Sequence, residues 1–297
     1  MEEMTKNNDV VIGSITNYDY DKLIPWINSL KQTGFTGTKI MMLYDIKFEV
    51  AQQLFEDFEI VTFQSRPGAA TFEYPIKPFN IVVERFYNTW LWGKTTSKKY
   101  RYVIATDVAD VVFQTNPSVW LEQNLGNKKL CVGSESLRYE DEAWGFNNME
   151  ISFGKKAIEY MSKRKIYNAG TIAGEFNTFI DLCYNVYLAT GRAPLFVPGG
   201  GGPDQAALNL LLSFEPYKDI TRFNSHDTNW ACQCGTTMDP NKIDTLRPHL
   251  LDIEPRMVDD FVVNSENEKY VLVHQYNRVP EWKNILESKY GRRVYKI

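Results

Sequence analysis

Apolar positions in the first third of the chain follow two rhythms in alternation. Short runs rich in β-branched and large apolar residues, "VVIGSI" at 10–15, "KIMMLYD" at 39–45 and "EIVTF" at 59–63, read as strands. Between them, apolar residues recur three and four apart. "DKLIPWINSLKQTGF" (21–35) sets Leu23, Trp26, Ile27 and Leu30 on one helical face, with Pro25 in the first turn and Gly34 at the end. "KFEVAQQLFEDF" (47–58) does so through Phe48, Leu54, Phe55 and Phe58, and "PFNIVVERFYNTWLWGK" (78–94) through Phe79, Val82, Val83, Phe86 and Trp90. A further strand, "YRYVIATD" (100–107), ends at an aspartate. Repeated βα units of this kind predict an α/β, Rossmann-like fold: a mainly parallel central sheet flanked by helices. Ligands of such sheets sit at the carboxyl ends of the strands, and Asp107 lies at one.

The second half is less regular. "KLCVGS" (129–134) reads as a strand, "KKAIEYMSKR" (155–164) and "EFNTFIDLCYNVYLAT" (175–190) as helices, "PDQAALNLLLSF" (203–214) as a buried helix, and "KYVLVHQY" (269–276) as a last strand. The acidic run "RYEDEAW" (138–144) is expected to be a solvated loop. No linker divides the 297 residues, so one domain is expected throughout, residues 1–116 forming a nucleotide-binding half and 117–297 an acceptor and catalytic half.

Composition narrows the partners. A hydrophobic content of 43% suits a packed globular chain, and a net charge of −4 offers no basic footprint for nucleic acid or an anionic membrane. No apolar stretch approaches the roughly 20 residues of a spanning helix, and "MEEMTKNNDV" does not resemble a signal sequence, so a soluble, cytoplasmic protein is expected. Four cysteines in so long a chain suggest reduced thiols rather than a disulfide framework.

Four features carry possible chemistry. In "RYVIATDVADVVFQTNP" (101–117), Asp107 and Asp110 stand between two apolar runs. They either cap a turn or supply oxygen ligands to a divalent cation that neutralises a diphosphate. In "VPGGGGPDQAALN" (197–209), four glycines precede Pro203, Asp204 and Gln205. A first-turn Asp suits the helix dipole on its own, but the glycines also suggest a mobile loop or a close ligand-binding surface. In "YVLVHQYNRVPEW" (270–282), His274 is either a structural histidine or a metal ligand, brought to Asp107 if its strand runs parallel to the one ending there. Arg85, beside the core residue Phe86, either snorkels or meets a phosphate or sugar hydroxyl. Neither a P-loop nor a dinucleotide fingerprint occurs, since "GSITNYDYD" (13–21) is not G-x-G-x-x-G. His226, Cys232 and Cys234 form a further, irregularly spaced candidate for zinc.

These residues resemble glycosyltransferases of the GT-A fold, most closely family 8 and related viral and bacterial enzymes. "ATDVADVVFQTNP" stands where that family has its Asp-x-Asp motif, "YNAGTIAG" resembles its Asn-Ala-Gly segment, "GPDQAALN" its Asp-Gln-x-x-x-Asn segment, and "VHQYNR" the place of its metal-binding histidine. Two departures stand out. The aspartates read Asp-Val-Ala-Asp, and the family's His-x-x-Gly-x-x-Lys-Pro-Trp ending is absent after His274, leaving Arg278 as a substitute grip on the diphosphate. The resemblance implies a hexosyl- or pentosyltransferase using a nucleotide-diphosphate sugar, UDP-linked by preference, and a glycan or polysaccharide acceptor. The base would lie near Thr16, Asn17 and Tyr18, and the diphosphate on Mn²⁺ or Mg²⁺ held by Asp107, Asp110 and His274. Arg85, Asn168, Gly202, Asp204 and Gln205 would line the sugar and acceptor side, with Asp204 and Gln205 the catalytic candidates. A cytoplasmic setting follows, a host's cytoplasm if the source is a virus. A nucleotidyltransferase would share this architecture but would carry a Gly-rich basic loop after the first strand, which is missing. A glycoside hydrolase leaves the nucleotide-type βα half unexplained, and a non-catalytic sugar-binding protein remains open.

Overall fold

The computed structural model describes residues 8–63 and 80–291. Strand β1 (Val10–Thr16) leads into helix α1 (Ile24–Gln32), then β2 (Thr38–Tyr44), α2 (Phe48–Leu54), β3 (Glu59–Phe63), α3 (Ile81–Thr95) and β4 (Tyr102–Thr106). There follow β5 (Val111–Phe113), α4 (Pro117–Asn124), β6 (Leu130–Arg138), α5 (Ala143–Phe153), α6 (Lys155–Met161), β7 (Lys165–Tyr167), β8 (Thr171–Glu175) and α7 (Phe176–Ala189). The last third holds α8 (Asp204–Leu212), α9 (Tyr217–Ile220), β9 (Thr221–Asn224), β10 (Ala231–Gln233), α10 (Cys234–Thr237), α11 (Ile243–Leu246), β11 (Arg256–Val258), β12 (Phe261–Val263), β13 (Leu272–His274) and α12 (Pro280–Tyr290).

The main sheet has the order β3-β2-β1-β4-β8-β6-β7, with β9 also pairing β6. Its βα half is parallel, and β8 and β7 run against their neighbours, so the sheet is mainly parallel. Strand β1 is apolar on both faces because both are covered. Val11 and Ile15 pack with residues of α1, α2 and α4 in one core, and Val10 and Ile12 with residues of α3, α7 and α8 in the other. A second, three-stranded sheet, β10-β13-β5, lies against the first core through Phe113 and Leu272. Its opposite face packs Val112, Cys232 and Val273 against Trp282, Leu286 and Tyr290 of α12.

Several sequence expectations change here. Phe48 and Phe55 are 76% and 75% exposed, because the short α2 buries Val50 and Leu54 instead. On α3 it is Trp92 rather than Trp90 that is buried, and Phe79 lies outside the described residues. "RYEDEAW" is only partly solvated: Arg138, the last residue of β6, and Glu140 are exposed, but Tyr139 is buried, and the last glutamate, Glu142, is buried as the cap of α5, accepting from the N–H groups of Trp144 and Gly145. The last strand shortens to three residues and joins the second sheet, antiparallel to β5, instead of running parallel to β4. Among the described residues no helix is long and apolar enough to cross a membrane.

Candidate functional site

The two aspartates sit where the chain leaves one sheet for the other. Helix α1 fixes both sides of that crossing: Trp26 Nε1 donates to Thr106 Oγ1 at 2.9 Å, and Ser29 Oγ accepts from Phe113 N–H at 3.0 Å. Between these anchors the Asp107 N–H donates to the Gly170 carbonyl at 2.9 Å, and the Asp110 carbonyl accepts from Gln275 N–H at 2.8 Å. Val108, between the carboxylates, turns inward over Gly13; a Cβ on that glycine would lie 2.7 Å from the valine methyl. The register Val111 to His274 then brings the imidazole in from the second sheet.

His274 Nε2 lies 3.3 Å from Asp107 Oδ2 and 3.7 Å from Asp110 Oδ1. One ligand atom from each of the three falls within 4.8 Å of the others, among the described residues. The imidazole is buried, and its Nδ1 lies 2.7 Å from Gln233 Oε1, while Gln233 Nε2 donates to Thr171 Oγ1 at 2.8 Å. This network assigns a proton to Nδ1 and turns Nε2 towards two carboxylates, whose charge either a second ring proton or a bound cation would balance. Two carboxylates and one imidazole could hold a divalent cation. Gly170 is what permits the approach, since a Cβ there would stand 2.6 Å from Asp107 Oδ2.

Electrostatics follow from the packing. Burial alone would raise the Asp107 carboxyl, but the Arg85 charge and His274 hold it well below the usual carboxylate range. Asp110 is raised, by burial first and by Asp107 as well, against the pull of His274 and Arg278. Burial opposes charging of His274, yet Asp110 and Asp107 raise it. Tyr18 is raised by burial and by the same two aspartates.

Arg85 neither snorkels nor faces solvent: its guanidinium binds Asp107, and at 3.2 Å each it donates to the Ala169 carbonyl and to Asp204 Oδ2. Two clefts meet at this arginine. The larger, of about 810 Å³, is lined by Thr16, Tyr18, Asp107, Asp110 and Lys283 among others. The smaller, of about 470 Å³, is lined by Asn168, the glycines 199–202, Asp204, Gln205, His274 and Arg278. Both include Val82, Arg85 and Asp107 in their walls.

Most of the residues singled out from the sequence therefore come together. Asn17 is the exception, exposed in a left-handed conformation (φ 52°) and not part of either wall. Asp204 opens α8 but caps nothing with its side chain, which Arg85 holds; burial pushes its carboxyl up to about 6. The glycines are tied down rather than loose. Asn80 Nδ2 donates to the carbonyls of Leu195 and Gly201, and Asn148 Nδ2 to that of Gly202. His226, Cys232 and Cys234 do not converge as ligands: the two sulfurs lie 3.6 Å apart, and His226 Nε2 faces the Gln233 N–H. Sequence reasoning missed Glu135, a buried carboxylate raised by burial, which accepts from Asn168 Nδ2 at 2.8 Å and Gln205 Nε2 at 3.1 Å. Its signal was faint, a lone glutamate inside an apolar strand. Trp144 and Lys283 were also missed, one hidden in the acidic run and the other on an exposed helix face.

No family model matches the sequence, and no curated protein matches it. Solved structures do. The galactosyltransferase LgtC, in complex with donor and acceptor sugar analogues, superposes with a TM-score of 0.53 at 11% identity, covering 94% of this chain and 95% of LgtC. The chain has the GT-A glycosyltransferase fold. Two further GT-A structures agree. An active-site glutamine-to-glutamate mutant of LgtC gives 0.50 at 11% identity over 89% of this chain and 86% of that one. The bifunctional glycosyltransferase WbbM gives 0.51 at 12% identity over 96% of this chain, which spans about half (52%) of WbbM. At such identities the likeness is one of GT-A fold.

Proposed function

We infer that the protein transfers a sugar from a nucleotide-diphosphate donor, UDP-linked by preference, to a hydroxyl of a glycan acceptor, with Mn²⁺ or Mg²⁺ held by Asp107, Asp110 and His274. The observation that carries this reading is the meeting of two clefts at Arg85 and Asp107, beside two carboxylates and an imidazole turned towards one another. The larger cleft takes the nucleotide, with Thr16 and Tyr18 towards the base, and the smaller takes the transferred sugar and the acceptor. When bound, the cation supplies Lewis-acid stabilisation of the departing diphosphate.

The remaining work belongs to the side chains. Arg85 fixes Asp107 on the donor side and Asp204 on the acceptor side, so one group sets both geometries. Lys283 from the donor wall and Arg278 from the other add positive charge for the leaving diphosphate, in place of the lysine grip missing from the sequence. Asn168 and Gln205 are held rigid by Glu135, and Gln205 Oε1 also accepts from the Ala169 N–H, which turns both amides to defined positions in the wall. Asp204, its carboxyl raised by burial, is the acid placed to accept the acceptor's proton when ionised or to hold a sugar hydroxyl.

Calorimetric titration of UDP and of GDP, with Mn²⁺ and with chelator, tests the donor half of this reading. One nucleotide should bind in a metal-dependent way, and Asp107→Ala should abolish that binding. Absence of binding by either nucleotide under every condition would remove the basis for a nucleotide-sugar donor.

A further inference from the structure

A third cleft lies behind the wall that β7 and α8 present to the catalytic side. Its volume is about 370 Å³, and its lining includes Arg164, Lys165, Lys218, Tyr167, Phe223 and Asn209. Three cations and no acidic residue line it, in a chain whose net charge is −4. Neither Arg164, Lys165 nor Lys218 forms an ion pair among the described residues. The Arg164 Nε is buried with no hydrogen-bond partner, and its guanidinium lies 4.3 Å from the centre of the Tyr160 ring, which stacks in parallel on Phe214. Tyr167 and Phe223, with ring centres 4.9 Å apart, add aromatic surface.

Like charges gathered against apolar walls repel one another, and an anionic ligand offsets that repulsion. Aromatic faces beside the cations suit the C–H faces of a pyranose ring. The cleft is also coupled to the catalytic one by shared elements. β7 turns Tyr167 into it, and the next residue, Asn168, lines the catalytic cleft; on α8, Asn209 and Gln205 divide in the same way one turn apart. Asn209 locks this wall, accepting from the Tyr167 N–H at 2.8 Å and donating to the Tyr167 carbonyl at 2.7 Å.

We propose that this cleft is a second binding site, for a saccharide bearing a carboxylate or a phosphate. The choice of a saccharide over other anions rests on the glycosyl-transfer reading; the preference for an anion rests on the cleft alone.

The test titrates three probes: a hyaluronan tetrasaccharide for the carboxylate, glucose 6-phosphate for the phosphate, and maltotetraose as the neutral control. Wild type, Lys218→Glu, Arg164→Gln and Asp107→Ala proteins are compared, with thermal melts to verify folding; Lys218 is exposed, so its reversal leaves the fold intact. At least one charged probe should bind and maltotetraose should not, and each cation variant should weaken binding about tenfold or more. Asp107→Ala should bind the charged probe as wild type does. Failure of both charged probes overturns the proposal, as does equal binding of maltotetraose or binding indifferent to Lys218→Glu. Metal-dependent nucleotide binding in the Lys218→Glu protein separates the two readings: it persists if only the second site is wrong, and it is missing in wild type if the donor reading is wrong.

Discussion

Replacing Asp204 by Asn should reverse the usual sign of a salt-bridged carboxylate. An aspartate paired with arginine ordinarily titrates low and stabilises the fold at neutral pH. Asp204 is 7% exposed, and the desolvation of its carboxylate outweighs the attraction of Arg85, which it shares with Asp107. Its folded value of about 6 stands above the ordinary 3.8, so the native state binds the proton more tightly than the unfolded chain does. The stability contributed by the protonated form is complete below about pH 4 and is lost as pH rises through about 6. The gap corresponds to roughly 3 kcal/mol. Asn keeps the shape and an oxygen acceptor for Arg85 but cannot ionise. Urea unfolding of both proteins in chelator, at intervals from about pH 4 to pH 7, gives the stability of each by linear extrapolation. Wild-type stability minus that of Asp204→Asn should fall by roughly 2.4 kcal/mol across that range, the rest of the gap lying below pH 4. A difference that stays flat, or grows with pH as for an ordinary ion pair, would refute the reasoning.

Other consequences are simpler to state. Gln233→Leu removes the acceptor that fixes His274 Nδ1 and should weaken Mn²⁺ binding about tenfold to a hundredfold in calorimetry, with the nucleotide's metal-independent contacts unchanged. Gly170→Ala puts a Cβ 2.6 Å from Asp107 Oδ2, so Mn²⁺ should cease to raise the melting temperature; an unchanged metal response would show that the close approach is not required. Asn80→Ala deletes the cap of α3 and two ties to the 195–201 segment, with an expected loss of about 1–2 kcal/mol in urea unfolding and faster proteolysis near the glycines.

How far the sequence disclosed this architecture depends on what each signal encodes. The βα half was readable because each of its elements meets the core through its own periodicity: Trp26, Ile27 and Leu30 of α1, with Leu23 just before it, all reach the first core. Where an element is short, periodicity cannot choose a face, and α2 shows the result, with Phe48 and Phe55 outside and Val50 and Leu54 inside. Strands of three residues such as β5, β10 and β13 carry too little pattern to announce a second sheet. Their pairing rests on contacts about 40 to 160 positions apart, as in Val112 with Val273 and Cys232 with Val273.

The spacing of the two aspartates connects that hidden sheet to the site. Within a single strand, residues three apart point to opposite faces, so Asp107 and Asp110 could not share a ligand if β4 simply continued. β4 ends at Thr106 and β5 begins at Val111 in the other sheet, and the intervening turn re-aims Asp110 towards the face that Asp107 occupies. The extra residue relative to Asp-x-Asp is thus taken up by the change of sheet. The same crossing explains how His274 arrives although its strand is antiparallel to β5: the pairing of Val111 with His274 sets the imidazole beside the end of the turn, and Gln233 on the neighbouring β10 locks its ring. A four-residue motif, a three-residue strand and a buried glutamine, each weak alone, become one site because a single sheet edge holds all three in register.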